Sequence, residues 1–210
     1  RHTDQTVNIY SAFLQNEWKN DRWGILIGGR LDKHNMVDNV IFSPRANLRF
    51  NPTQNINLRL SYSSGFRAPQ AFDEDMHIEN VGGTVAMIER AKDLKEEKSQ
   101  SFSVSADMYH RFGAFQTNLL IEGFYTRLTD VFVLGKPYDR GDGILVKTRS
   151  NGPGAKVMGL TLEGKVAYLS ILQIQAGLTL QRSRYDEPHK WHDDAPAEKK
   201  IFRTPDTYGY

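Results

Sequence analysis

The chain has 210 residues, of which 39% are hydrophobic, 25% charged and 11% aromatic, with a formal net charge of +2. That balance excludes disorder, lies too near neutrality to point to nucleic acid, and includes no apolar run of about 18 residues that would make a membrane helix. Cysteine is absent, which removes disulfide frameworks, thiol catalysis and cysteine-ligated zinc together.

Residues 6–18 read as a first strand with Val7, Ile9, Ser11 and Phe13 on one side, because side chains on a strand alternate between faces. Lys19-Asn20-Asp21 is a tight turn, since Asn and Asp adopt turn conformations at little cost. Residues 22–31 follow, with Trp23, Ile25, Ile27 and Leu31 alternating against Gly24, Gly28 and Arg30. A polar stretch, 32–43, leads to a strand at 44–50 and a short turn at 51–54. Residues 55–66 place Ile56, Leu58, Leu60 and Tyr62 on one face and Asn57, Arg59, Ser61 and Ser63 on the other. A long charged segment spans 67–97. In 98–110, Phe102, Val104, Ala106 and Met108 alternate with Ser101, Ser103, Ser105 and Asp107. Arg111-Phe112-Gly113 turns into a strand at 115–126, and a loop rich in Gly and Asp covers 130–155. Residues 156–168 and 171–185 form a pair around Leu169-Ser170; the second sets Leu172, Ile174, Ala176, Leu178 and Leu180 against Gln173, Gln175, Gly177, Thr179 and Gln181. A polar loop, 186–203, precedes one more strand.

Connections alternate between short and long, so an up-and-down meander carries all its short turns on one rim and its long loops on the other. Outer-membrane barrels have this asymmetry, and strands of 10 or more residues suit a tilted membrane crossing. Trp18, Trp23, Tyr109 and Phe115 flank short turns, where an aromatic girdle meets lipid headgroups. The fold expected is all-β: an antiparallel meander of about nine strands forming an arc of a transmembrane barrel, since bacterial barrels close with even strand counts. The chain starts without Met or a signal-peptide pattern and ends within a strand, so it reads as a piece of a longer protein.

Several segments resemble the β-barrel of TonB-dependent outer-membrane receptors. Ser43-Pro44-Arg45-Ala46-Asn47-Leu48 followed by Leu58 through Pro69, with Ser61-Tyr62 and Gly65-Phe66-Arg67-Ala68-Pro69, is similar to one family stretch. Leu94 through Ser99, Phe124 through Asp130, Asn151-Gly152 through Gly159 and Glu163, and Arg203-Thr204-Pro205 resemble others in the same order. The resemblance implies a 22-stranded barrel closed by an N-terminal plug, in the outer membrane of a Gram-negative bacterium. It also implies uptake of a scarce nutrient with energy delivered by TonB. Residues 1–210 are then a partial barrel, with the plug, its TonB-contacting segment and the terminal strands absent from this chain. The expected partners are the TonB complex through that plug, a small-molecule nutrient and outer-membrane lipid, with no nucleic acid and no cofactor. Ferric siderophore or haem leads as ligand, followed by a corrinoid and an oligosaccharide.

Candidate ligand residues lie on the long loops. Arg67 leaves a strand between Gly65 and Pro69, where the plain alternative is that Gly and Pro shape the backbone and Arg67 serves local carbonyls or the lumen. Asp73, Glu74, Asp75 and His77 offer oxygens and an imidazole, but their spacing matches no defined calcium loop and a solvated acidic run is the simpler reading. His189 and His192 flank Trp191 and can face an iron chelate or haem, although His-x-x-His is common by chance; no metal site is assigned. Tyr138 to Gly143 reads as a turn, and Arg30, Arg49, Arg59 and Asp107 are expected to pair with one another or with a plug. No Gly-x-Ser-x-Gly elbow, His-Glu-x-x-His or Walker loop occurs, so the chain does not read as an enzyme. A passive porin and an outer-membrane barrel hydrolase are the alternatives from other classes.

Overall fold

A computed structural model describes residues 6–69, 86–139, 141, 145–169, 171–189, 197–201 and 205–210. In chain order the strands are β1 (Ile9–Lys19), β2 (Trp23–His34), β3 (Ile41–Thr53), β4 (Ile56–Arg67) and β5 (Ala86–Arg90). There follow β6 (Glu97–Phe112), β7 (Phe115–Thr129), β8 (Phe132–Leu134), β9 (Tyr138–Asp139) and β10 (Leu145–Asn151). The last are β11 (Ala155–Tyr168), β12 (Leu172–His189), β13 (Glu198–Lys200) and β14 (Thr207–Gly209). Among the described residues there is no helix, and so none long and apolar enough to cross a membrane.

The main sheet has ten strands in the order β1-β2-β3-β4-β6-β7-β11-β12, with β13 and β14 both paired to β12. Every pairing in it is antiparallel. The expected meander is met, and its short connections close with the anticipated chemistry. Asn20 Oδ1 accepts the N–H groups of Arg22 at 2.9 Å and Trp23 at 2.7 Å, a side-chain mimic of a backbone turn. Gly113 takes the left-handed conformation (φ 57°) between β6 and β7, where a Cβ is disfavoured.

Register carries each face across the sheet. Ile25, Leu48, Leu60, Val104, Gly123, Leu160 and Leu180 stand in one row. The opposite face carries Gly24, Arg49, Arg59, Ser105, Glu122, Thr161 and Thr179 in another. The apolar face is uncovered: Leu60, Val104 and Ile174 expose 51%, 58% and 59% of their surface. Folded water-soluble monomers rarely leave so broad an apolar surface bare. A two-layer sandwich would have buried Leu172, Ile174 and Leu178 in a shared core, and all three are exposed.

Several details differ from expectation. Ser11 bonds Asp32 on the polar face, so in β1 it is Tyr10, Ala12, Leu14 and Trp18 that share the apolar side. A strand with apolar residues at both parities carries no alternation from which to choose. Tyr109 also belongs to the polar face, where its hydroxyl donates to Asp107 Oδ2 at 2.8 Å. Trp18, Trp23 and Phe115 do lie on the apolar side by the short turns, where Trp23 stacks on Phe50 (4.3 Å) and Phe115 joins Phe112 and Tyr168 (5.6 and 5.0 Å). The long segments 67–97 and 130–155 are not featureless loops. They build a second sheet in which β10 pairs with β5 in parallel and with β8 and β9 antiparallel.

Candidate functional site

The long-loop rim is where the sheet ends and side-chain chemistry concentrates. Asn151, last residue of β10, fastens three segments: its Nδ2 donates to the carbonyls of Lys95 (3.0 Å) and Asp130 (2.8 Å), and its Oδ1 accepts the Lys95 N–H (2.8 Å). Glu97 Oε2 accepts the Phe132 N–H at 3.0 Å. The guanidiniums of Arg67 (5.7 Å) and Arg149 (6.0 Å) both lie over the Phe132 ring, and Arg149 is 1% exposed. Cations over an aromatic face gain from its quadrupole, more so where water is excluded. The family-like residues Arg67, Glu97 and Asn151 thus fasten the second sheet to the first.

Replacing Asn151 with Ala removes three hydrogen bonds at a half-exposed position, where water takes up part of the loss. The expected cost is about 1–2 kcal/mol, confined to the rim. Limited proteolysis should then cut within 86–155 more readily while the main sheet's thermal unfolding stays in place.

On the polar face near β1 and β2, Asp32 is fully buried and accepts from Ser11 Oγ and from Arg30 Nε at 2.7 Å. His34 is also fully buried, and its Nδ1 accepts the Met36 N–H at 3.0 Å, which leaves the imidazole neutral with its proton on Nε2. Sequence reading missed both residues because the polar run after Leu31 looks like loop; β2 in fact continues three residues further. An open groove of about 620 Å³ is lined by Arg30, the partner of Asp32, and by Phe13, Ser43, Arg45, Asn47 and Ser63 among others. Among the described residues, Arg30, Arg59 and Asp107 have nearer partners than one another. Arg30 engages Asp32, Arg59 donates to Asn57 at 2.8 Å, and Asp107 is held by Tyr109 and Asn118.

Asp73, Glu74, Asp75, His77, Trp191 and His192 lie outside the described residues. Arg67 ends β4, opposite Glu97 of β6, and His189 ends β12, opposite Glu198 of β13. Both strand ends point to the same rim, but β6, β7 and β11 intervene. At about 4.8 Å per strand this places them on the order of 20 Å apart around the sheet, too far for one small group to touch both backbones. Tyr138 and Asp139 form β9, and Asp139 Oδ1 accepts the Gly141 N–H at 2.8 Å; Arg140, Asp142 and Gly143 of the expected turn lie outside the described residues. Among the described residues no group of three or more His, Asp or Glu side chains is placed to hold a metal ion.

The family model described as TonB dependent receptor-like, beta-barrel matches residues 1–209. Among solved structures, the siderophore receptor PirA from Pseudomonas aeruginosa superposes with a TM-score of 0.71 at 16% identity, over 86% of this chain and 35% of that one. The FrpB iron transporter from Neisseria meningitidis (F3-3 variant) gives a TM-score of 0.62 at 17% identity, over 85% and 26%. The outer membrane transporter YddB from Escherichia coli gives 0.65 at 15% identity, over 87% and 25%. The chain therefore spans between a quarter and about a third of these proteins' lengths. No curated protein sequence matches it.

Proposed function

Because the chain belongs to the TonB-dependent receptor β-barrel family, we propose that it is an arc of an outer-membrane barrel. That barrel takes up a scarce nutrient, most directly a ferric siderophore or haem, with energy supplied through TonB. The observation that carries the membrane part is the length of the bare apolar face. On β11 the outward series runs from Tyr168 to Met158, and Lys156 follows it. Ten residue steps at about 3.4 Å, tilted by about 45°, give a band roughly 24 Å tall, against about 25 Å for the apolar belt of such barrels. Supporting the ligand class, similar folds include a siderophore receptor and an iron transporter by name. The role is transport, not catalysis.

In this reading the long loops catch ligand and energy coupling lies outside residues 1–210. Deleting 189–194 from the full-length protein should weaken binding of a ferric siderophore or haem while the barrel still folds, since loops tolerate change better than strands. Changing His189 and His192 together to Ala should weaken it too, as read by titration of the purified protein. Unchanged affinity in the double variant removes direct iron ligation by these imidazoles. Steady solute diffusion through the protein in liposome swelling would instead mark a passive porin.

A further inference from the structure

The outward apolar series of β7, β11 and β12 end at the long-loop rim in cations. Tyr125 is followed two positions on by Arg127, Met158 is preceded by Lys156, and Leu180 gives way to Arg182 and Arg184. Strand pairing sets Arg127, Lys156, Arg184 and Lys200 side by side in one row across β7, β11, β12 and β13. Like charges directly opposite on neighbouring strands repel, and among the described residues two carboxylates, Asp186 and Asp206, are paired with these four cations. Asp186 reaches Arg127 and Lys156 only at 3.7 and 4.0 Å, and Asp206 is taken by Lys200 at 2.6 Å. That bond from Lys200 holds the Asp206 carboxyl below its ordinary range. Arg127 and Lys156 remain about half exposed, at 55% and 42%.

Two hollows adjoin this row on the same face. One, of about 290 Å³, is lined by Lys156, Met158, Arg182 and Arg184. The other, of about 530 Å³, is an open apolar furrow over Gly123, lined by Leu60, Phe102, Val104, Leu160 and again Met158. Gly123 leaves this space because the nearest atom to a Cβ there is Val104 Cγ1 at 3.7 Å. A cationic hollow that meets an apolar furrow at Met158 is shaped for an amphiphile with an anionic head and a hydrocarbon tail.

We propose that this outer patch binds a phosphate-bearing lipid, its phosphate on Arg127, Lys156 and Arg184 and an acyl chain in the furrow at Gly123. The assignment rests on the apolar face meeting lipid, as read above. Phosphate oxygens accept from several cations at once, and each Lys or Arg near an anionic lipid surface strengthens binding by roughly fivefold.

The test uses the full-length protein in detergent, titrated with phosphatidic acid and with diacylglycerol, bound lipid being counted by native mass spectrometry. Phosphatidic acid should be retained in preference. The combined R127Q, K156Q and R184Q variant should lose about a hundredfold of that affinity, at roughly fivefold per cation. Gly123→Leu, whose Cβ would meet nothing nearer than Val104 Cγ1 at 3.7 Å, should weaken retention of both lipids and gives a second readout if the triple variant misfolds. Equal binding of the two lipids by the wild type, or an unchanged triple variant, overturns the proposal. So does full displacement by inorganic phosphate, which would mark a soluble-anion site. Normal assembly of an Ile174→Arg variant would remove the lipid-facing reading itself; sensitivity at Ile174 without lipid preference removes the lipid site alone.

Discussion

Ile174→Arg is expected to cost the assembled protein about 1–2 kcal/mol, between the midplane and interface values for a barrel's lipid face, while Gln175→Arg, one residue along β12, costs almost nothing. Ile174 sits opposite Val166 on the bare apolar face and exposes 59% of its surface. If that surface meets hydrocarbon, a guanidinium there, two residue steps inside the short-turn edge of the band, loses part of its hydration. Leu58→Arg on β4, in the Trp23–Phe50–Leu58 row, should behave the same way. Gln175 points to the other face, where its Nε2 donates to Glu163 Oε1 at 2.8 Å, and an arginine can keep that partner. Heat-modifiable migration on gels and urea unfolding in detergent measure both. Equal tolerance at positions 174 and 175 would contradict the assignment of faces.

The second large effect is expected at Gly159. A Cβ on this residue would meet the Leu180 carbonyl oxygen at 2.5 Å and the Phe124 ring at 2.6 Å. One of these is backbone of the adjacent strand and cannot swing aside, so Gly159→Ala must push β12 or displace the ring. Overpacking of this kind costs about 1–3 kcal/mol. Gly164, on the same strand, has nothing within 4 Å of its Cβ position, so Gly164→Ala should be neutral or slightly stabilising through the unfolded chain. Urea midpoints of the two variants test the contrast. If both shift alike, the close approach of Phe124 to Gly159 is not a feature of the folded protein.

The main sheet was legible because its strands are long and alternate at a period of two, as in 172–180 and 98–108. Alternation failed where one strand carried apolar groups on both sides, as β1 does with Phe13 and Leu14. It also failed where a strand outran its apolar pattern, hiding Asp32 and His34. The second sheet was illegible for a different reason. Its strands are two to seven residues long, and β5 finds β10 through a parallel pairing more than fifty residues away, which no local pattern announces. Arg67 could be picked out as special from its Gly and Pro neighbours, but its placement over Phe132 depends on that distant sheet. The row of Arg127, Lys156 and Arg184 is likewise a product of register, since each cation taken singly is an ordinary strand residue.

The parallel pairing of β5 with β10 also removes independence from two of the long connections. A barrel is usually pictured as a fixed wall bearing loops that can lengthen, shorten or be exchanged one at a time. Here Leu145 through Arg149 complete their backbone hydrogen bonding only with Ala86 through Arg90 in place. Transplanting either connection alone into another receptor would carry half of a sheet and leave its partner's edge unpaired. Diversification at this rim must therefore proceed by paired change, with the segment after β4 and the segment after β7 acting as one exchangeable module.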